Sequence, residues 1–172
     1  IFPDGGVARL RIFGELVVGK LKNKEINLTS VFNGAAPIAC NNEHFGKAEN
    51  ILAPGRGINM GDGWETRRKR GSGHDYLILK LGKPGRIKKV DIDTSFFNGN
   101  QPNKVSLQAC VSKQNLPNKK TKWTTILNKK KTKPNSHHFF NISNKSIFTH
   151  VKLNIFPDGG VARLRIFGEL VV

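Results

Sequence analysis

Short stretches in which apolar and polar residues alternate recur along the chain and are separated by turn residues. Near the end, Ala162, Leu164 and Ile166 alternate with Arg163 and Arg165, which is the two-residue period of a β-strand with one apolar face. No stretch sustains the longer period of a helix. Seven or eight such strands predict an all-β sandwich, and an antiparallel jelly roll accounts for them. The predicted strands are residues 75–81, 86–94, 105–111, 123–127, 138–142, 147–154 and 161–167.

Two local features interrupt this pattern. Lys83-Pro84-Gly85 predicts a turn between the first two strands, because proline fixes φ and glycine accepts positive φ. Residues 42–52 fit a short helix or turn, which Pro54 and Gly55 would end.

The stretch from residue 55 to residue 75, GRGINMGDGWETRRKRGSGHD, has neither period. Its six glycines permit backbone conformations that a β-carbon forbids. Charged residues and glycines between two apolar runs predict a loop that holds polar groups in chosen directions. A solvated loop with local ion pairs explains the same residues.

An exact repeat joins the two ends of the chain. Residues 1–18, IFPDGGVARLRIFGELVV, are identical to residues 155–172, which indicates a duplicated unit rather than a short solenoid period. We expect residues 1–18 to be the terminal strand segment of a preceding unit, residues 19–30 to be a polar linker, and residues 31–172 to be a complete unit. Two identical strands compete for one position in a sheet. We therefore expect the first copy to pack as a strand, within one chain or exchanged between chains of an oligomer.

The arginines of the repeated strand leave two interpretations open. Arg163 and Arg165 either lie on a solvated face at a sheet edge, or direct their guanidinium groups at a carboxylate such as Asp158 or a ligand.

Length and charge limit the possible functions. The chain has 172 residues, a length that fits one domain with a hydrophobic core. Its formal net charge of +17 is typical of a protein that binds nucleic acid. However, eleven lysines lie between Asp93 and Asp158 with no acidic residue among them. They are not interleaved with stacking aromatics and occupy no helical face, which argues against nucleic-acid binding.

The other compositional signals are negative. No apolar run approaches the roughly 20 residues that span a bilayer, and the first residues lack the features of a signal peptide. Cys40 and Cys110 have no metal-ligand spacing, so we expect free buried thiols in a reducing compartment.

Five motifs in order resemble one family. They are VFNGAAPIACNNEHFG, NILAPGRGINMGDGWETRRKR, GHDYLILKLG, VDIDTSFFNGN and IFPDGGVARLRIFG. Together they are similar to allantoicase (allantoate amidinohydrolase) over most of residues 31–110 and both copies of the repeat. The lysine- and asparagine-rich region from about residue 114 to 144 departs from the family pattern. This departure affects the comparison of a surface loop and not the resemblance as a whole.

The resemblance implies two tandem jelly-roll repeats, galactose-binding-domain-like in fold, of which this chain would be the second with the tail of the first. It implies hydrolysis of allantoate to ureidoglycolate and urea in purine breakdown, by a cytosolic oligomer. Neither nucleic acid nor membrane is an expected partner, and the resemblance leaves the cofactor requirement open.

Cleavage of the C–N bond that releases urea requires a clamp for the substrate carboxylate, an acid for the leaving nitrogen, and a base or metal-bound water. Arginines are the candidates for the clamp, and acidic residues and histidines are the candidates for acid and base. We predict a catalytic set and a substrate-binding set. The catalytic set is Glu65, His44, Asp62 and His74, with Glu43 and Asp75 as further candidates. The substrate-binding set is Arg67, Arg68, Arg56, Arg163, Arg165 and Trp64.

Alternatives remain at this level. Asp91 and Asp93 share one face of a predicted strand and suit a cation or paired arginines, but no third ligand lies nearby in sequence, so we assign no metal site. A binding module without chemistry and an inactive half-enzyme are the competing functions, because a jelly-roll fold does not fix function.

Overall fold

The structure is a computed structural model that describes residues 2–7 and 25–171. It confirms the all-β prediction. Ten strands and three short 3-10 helices form the described part of the chain. The strands are β1 (Glu25–Asn27), β2 (Ala36–Cys40), β3 (Trp64–Glu65), β4 (Asp75–Asp93), β5 (Lys104–Cys110), β6 (Thr124–Lys131), β7 (His137–Asn141), β8 (Ile147–Phe156), β9 (Gly160–Val161) and β10 (Arg163–Leu170). The 3-10 helices are Val31–Asn33, Ala48–Leu52 and Met60–Asp62.

The long strand β4 organises the fold. The main sheet runs β1–β10–β4–β8–β5–β6, and β2 and β7 also pair with β4. The first part of β4 pairs with β2 and β8, and its last part pairs with β10 and β7, all antiparallel. One strand therefore connects two sets of partner strands.

The predicted turn at Lys83-Pro84-Gly85 is wrong, because β4 runs through it without reversing. The pairing of β4 with β8 skips from Lys80 to Gly85 at this point. A proline is tolerated there because the skipped residues donate no hydrogen bond to β8.

The apolar faces of the strands meet in one core. On β10, Leu164 and Ile166 are fully buried, and on β4 Leu77 and Leu79 are fully buried as well, as the two-residue period predicts. Trp64 of β3 lies in the same cluster. Burial of these side chains is the main favourable term in the stability of such a sandwich.

Residues 25–27 form a strand of the sheet and residues 28–30 follow it as a turn, although their polarity suggested a linker. β1 pairs with β10, and Leu28 is buried. The side chain of Asn27 serves as an acceptor for two backbone groups, because its Oδ1 accepts hydrogen bonds from the N–H groups of Thr29 and Ile166. Residues 19–24 lie outside the described residues. So does most of the strand expected within residues 1–18, of which only 2–7 are described.

The lysine-rich region contains an edge strand. Lys129, Lys130 and Lys131 are exposed on β6, which ends the sheet order. Charged lysines on an edge strand oppose pairing with another sheet. No helix in the described residues is long and apolar enough to cross a membrane. Cys40 and Cys110 are free thiols, but only Cys110 is buried as predicted, because Cys40 is half-buried.

Candidate active site

A cavity of about 430 Å³ lies where the β3–β9 pair meets two loops. Residues from three segments line it: 65–69 at the end of β3, 99–103 between β4 and β5, and 157–159 between β8 and β9. Phe45 adds an aromatic side chain to the lining. The lining residues with charged side chains are Glu65, Arg68, Lys69 and Asp158.

The Pro-Asp-Gly-Gly turn of the repeated segment forms one wall because glycine allows a close approach. Gly159 has a φ of +132°, and a Cβ there would lie 2.7 Å from the carbonyl oxygen of Asn100. A Cβ on Gly160 would overlap the ring of Phe97. The Gly159 N–H donates to Thr66 Oγ1 at 3.1 Å, and the Gly160 N–H donates to the Asn100 carbonyl at 2.8 Å. The turn is therefore fixed against both neighbouring segments.

Glu65 is held in the cavity by a residue that sequence reasoning missed. Asn100 Nδ2 donates to Glu65 Oε1 at 2.7 Å, while Asn100 Oδ1 is buried and has no hydrogen-bond partner among the described residues. A buried, unpaired amide oxygen costs free energy. Asn100 lies in the turn FFNGN, a motif already quoted for the family resemblance, but nothing local in that turn points to Glu65.

The two cations of the cavity differ in their partners. Lys69 Nζ lies 3.0 Å from Oδ1 of the fully buried Asp75, and the Lys69 backbone N–H donates to Asp158 Oδ2 at 2.6 Å. Arg68 is exposed and takes no part in an ion pair or side-chain hydrogen bond with the described residues. Arg68 is therefore the cation of the cavity that is most available to an anion.

His44 and Arg67 meet beside the cavity. Arg67 Nη2 lies 3.3 Å from His44 Nδ1, and since arginine only donates, Nδ1 accepts. The backbone N–H groups of His44 and Phe45 both donate to the carbonyl of Glu65, at 3.0 and 3.2 Å. The structure thus brings together three predicted residues: Glu65, His44 and Arg67. The cavity lining also contains both Glu65 and Arg68.

Asp62 and Arg163 form an ion pair outside this lining. Arg163 Nη2 donates to Asp62 Oδ2 at 2.6 Å, with 4% of the Arg163 side chain and 29% of the Asp62 side chain exposed. Arg163 Nη1 also donates to the carbonyls of Asp62 and Ala162. Both predicted residues therefore hold the 3-10 helix Met60–Asp62 against β10.

Arg165 binds backbone rather than an acid. Its guanidinium donates to the carbonyls of Ile51, Ala53 and Gly55. Burial, reinforced by the neighbouring Arg163, lowers the pKa of Arg165. Arg165 thereby satisfies carbonyls at the end of the 3-10 helix Ala48–Leu52 and just beyond it.

The remaining predicted residues lie elsewhere. Trp64 is fully buried in the core and donates from Nε1 to the Asn42 carbonyl at 2.9 Å, so it forms no wall of the cavity. Arg56 lies over the ring of Phe96, with its Cζ 5.9 Å from the ring centroid. Glu43 accepts hydrogen bonds from the Ala48 backbone N–H and from Lys47, which lower its pKa.

His74 lines a second cavity, of about 370 Å³, on the outer face of β5, β6 and β8. Its Nε2 lies 3.2 Å from Asn154 Oδ1, and its ring lies against that of Phe156 with centroids 4.6 Å apart and the ring planes tilted by 31°. It does not line the cavity that contains Glu65.

Asp91 and Asp93 pair with a histidine that lay outside the predicted set. His137 Nδ1 lies 2.9 Å from Asp91 Oδ2, and His137 Nε2 lies 3.7 Å from Asp93 Oδ2. Burial raises the pKa of Asp91, although the hydrogen bond from His137 opposes the shift. In the described residues, no group of three or more His, Cys, Asp or Glu side chains is arranged to hold a metal ion.

Comparison with known proteins identifies the family. The family model described as "Allantoicase repeat" matches residues 26–171. The chain belongs to the allantoicase family. A probable allantoicase of Burkholderia mallei is 44% identical over 99% of this chain and 53% of its own length. A probable allantoicase of Schizosaccharomyces pombe is 45% identical over 98% of this chain and 51% of its own length.

Solved structures agree with this assignment. The crystal structure of allantoicase from Saccharomyces cerevisiae superposes with a TM-score of 0.77 at 37% identity, covering 86% of this chain and 44% of that one. A family 32 carbohydrate-binding module from Clostridium perfringens, solved in complex with galactose, superposes with a TM-score of 0.61 at 14% identity, which shows a shared fold alone. This allantoicase-family chain spans about half the length of the curated relatives that it matches.

Proposed function

We propose that the protein hydrolyses allantoate to ureidoglycolate and urea in purine degradation, in the cytosol, with the cavity around Glu65 as the substrate site. The observation that carries the proposal is the cavity itself. It combines a carboxylate fixed by Asn100 with the guanidinium of Arg68, which has no partner within residues 2–7 and 25–171, in a chain of the allantoicase family.

The substrate sets the chemical requirements. Allantoate has one carboxylate and two ureido groups on its central carbon. In the reaction, a water molecule adds its oxygen to the central carbon, the C–N bond to one ureido group breaks, and that group leaves as urea after taking a proton. A site for this reaction needs a cation for the carboxylate and a group that moves a proton.

The cavity residues suit these roles. Arg68 is placed to bind the substrate carboxylate bidentately, as guanidinium groups do. Glu65 is placed to exchange the proton, because Asn100 holds only its Oε1 and no described residue hydrogen-bonds to its Oε2. His44, joined to Arg67 and bonded through its backbone to Glu65, is the second proton-transfer candidate.

The test is urea release from allantoate by purified protein and two single variants. Glu65→Gln keeps the size and the hydrogen bond from Asn100 but removes the charge, and we expect turnover to fall by at least about 100-fold. Arg68→Ala should raise KM. Arg70→Ala is the matched control, because Arg70 is an exposed arginine of the same run outside the lining. Wild-type turnover in Glu65→Gln and Arg68→Ala would remove this cavity from the reaction.

A second function follows from the length of the chain. Because the chain spans about half of its curated relatives, the unit alone is a candidate for a binding unit that needs a second repeat for turnover. Calorimetric titration with allantoate distinguishes the two functions. Saturable binding that Arg68→Ala abolishes, with no urea released by the wild type, would favour the binding unit.

A further inference from the structure

The second cavity, which His74 lines, has a floor of buried polar side chains. Asn154 of β8 lies directly opposite Ser106 of β5 in the strand pairing, so the two side chains share one face of the sheet. Both residues line the cavity, whose volume is about 370 Å³. Asn154 is 3% exposed and Ser106 is 8% exposed, although both residue types are usually found at the protein surface. Such buried polar groups need defined hydrogen bonds.

The side-chain amide of Asn154 sets the direction of these hydrogen bonds. Its Nδ2 donates to Ser106 Oγ at 3.2 Å and to Gln108 Oε1 at 3.4 Å. Its Oδ1 therefore accepts from His74 Nε2 at 3.2 Å. The neutral form of His74 then carries its proton on Nε2, and its Nδ1 is an acceptor. In the described part of the chain, no group bonds to this Nδ1.

The groups that remain available in the second cavity are mostly donors. Because Ser106 Oγ and Gln108 Oε1 accept from Asn154, the Ser106 hydroxyl hydrogen and the Gln108 Nε2 are left to donate. Thr125 and Asn128 of β6 also line the cavity, and their side chains form no hydrogen bond with the described residues. The cavity thus offers several neutral donors to a ligand, and an acceptor at His74 Nδ1.

One lysine gives the second cavity a positive charge. Lys129 of β6 lines it, with Nζ over the ring of Phe156 at 4.2 Å from the centroid. Among the described residues, those that line this cavity include no acid. The chain as a whole has a formal net charge of +17, which attracts anions from solution. A single ammonium group among neutral donors favours a ligand with one carboxylate, because the ion pair is reinforced by a hydrogen bond.

We propose that the second cavity is a binding site for a polyhydroxylated monocarboxylate, the chemical class of the sugar acids. The ligand carboxylate binds Lys129, and its hydroxyl groups accept from the Ser106 hydroxyl and Gln108 Nε2 and donate to His74 Nδ1. The volume of about 370 Å³ lies within the range of small-molecule sites. The second cavity shares no lining residue with the cavity around Glu65, so its occupation does not depend on the proposed hydrolysis.

Three matched probes test the ligand class in an NMR titration of the backbone amide signals. D-gluconate has a carboxylate and a hydroxylated chain, hexanoate lacks the hydroxyl groups, and sorbitol lacks the carboxylate. We expect gluconate to shift the signals of residues 106, 108, 125 and 154 saturably, with a Kd of about 1 mM or below. Hexanoate and sorbitol should bind at least about 10-fold more weakly, because each leaves some of the cavity's polar groups without a partner.

Other results of this titration would overturn the proposal. Hexanoate binding as tightly as gluconate would show that only the charge is recognised. Sorbitol binding as tightly as gluconate would show that the carboxylate contributes nothing. The absence of saturable shifts around the second cavity would show that gluconate does not bind there.

Two lysines of β6 form a matched pair that locates the bound carboxylate. Lys129 lines the second cavity, whereas its exposed neighbour Lys130 does not. Lys129→Ala should weaken gluconate binding at least about 10-fold, while Lys130→Ala, which removes the same net charge, should change it less than about 2-fold. Equal losses in the two variants would mean that gluconate responds only to the overall charge, which contradicts a built site.

Two further variants distinguish the two cavities. Ser106→Ala removes one donor from the floor with little change in shape and should weaken gluconate binding by about 3- to 10-fold. Arg68→Ala should leave gluconate binding unchanged, since Arg68 lines the cavity around Glu65 and not the second cavity. Loss of binding in Arg68→Ala, with wild-type binding in Lys129→Ala and Ser106→Ala, would assign gluconate to the cavity around Glu65 and refute the proposal.

Discussion

Removing the carboxylate of Asp62 should destabilise the fold without weakening the proposed binding of allantoate. Asp62 accepts a hydrogen bond of 2.6 Å from Arg163, whose side chain is 4% exposed. It also accepts one from the Ile58 backbone N–H at 3.2 Å. In Asp62→Ala, the partners left to the buried guanidinium among the described residues are the carbonyls of residues 62 and 162. Because Asp62 does not line the cavity, binding by the folded protein should persist.

The size of the loss follows from burial. Breaking a fully buried ion pair costs about 3–5 kcal/mol, and a hydrogen bond to a charged group contributes about 1.5–3 kcal/mol. The Asp62 side chain is 29% exposed, so water offsets part of the cost. We expect a loss of about 2–3 kcal/mol in the free energy of unfolding, which lowers the melting temperature by about 5–10 °C for a domain of this size.

Guanidinium chloride unfolding, followed by tryptophan fluorescence, measures the stability, and calorimetric titration of the folded variant measures allantoate binding. Asp62→Asn keeps an acceptor oxygen and should lose less than Asp62→Ala. Glu65→Gln should behave in the opposite way, with unchanged stability and impaired turnover. An Asp62→Ala protein with wild-type stability and no allantoate affinity would refute the assignment of Asp62 to structure and return it to the site.

Three further predictions concern buried groups. Burial lowers the pKa of His150 below its unfolded value of about 6.5, so its contribution to stability is complete above that pH and is lost as pH falls. Unfolding free energies at pH of about 7.5 and 5.5 should therefore differ more in the wild type than in His150→Gln. Trp64→Phe removes the donor to the Asn42 carbonyl and should cost about 1–3 kcal/mol in guanidinium unfolding. Burial raises the pKa of Cys110 to about 11, so a thiol reagent at pH of about 8 should label the half-buried Cys40 first, as mass spectrometry of the folded protein would show.

The strands could be predicted because the alternation of apolar and polar residues is a local property of the sequence. The connections between strands were harder to predict. Lys83-Pro84-Gly85 contains the residues of a turn, yet Gly85 pairs with Leu170 of β10 and with Phe148 of β8. The Pro84 carbonyl also accepts a hydrogen bond from the Val171 N–H. Partners from distant parts of the chain keep β4 extended, and these partners are not visible in the three residues themselves.

The cavity could be predicted only in part, because some of its residues are close in sequence and others are distant. Glu65 and Arg68 come from the glycine-rich stretch, whose charges and glycines marked it as a shaped loop. Asn100 approaches Glu65 across 35 positions of sequence, so no spacing in the sequence connects them. What the sequence does carry is the glycine requirement at Gly159 and Gly160, where a side chain would collide with the segment that contains Asn100.

The arginines show why partners, and not charge, decide which residue is available to a ligand. Arg163 and Arg165 alternate on one face of β10 as the sequence predicts, but their guanidinium groups are occupied by Asp62 and by backbone carbonyls. A substrate carboxylate would have to replace those bonds, and the carbonyls released would be left without donors. Arg68 has no such bonds among the described residues and lines the cavity. A carboxylate that binds Arg68 breaks no bond to a described residue, which makes Arg68 a stronger candidate for the clamp than either arginine of β10.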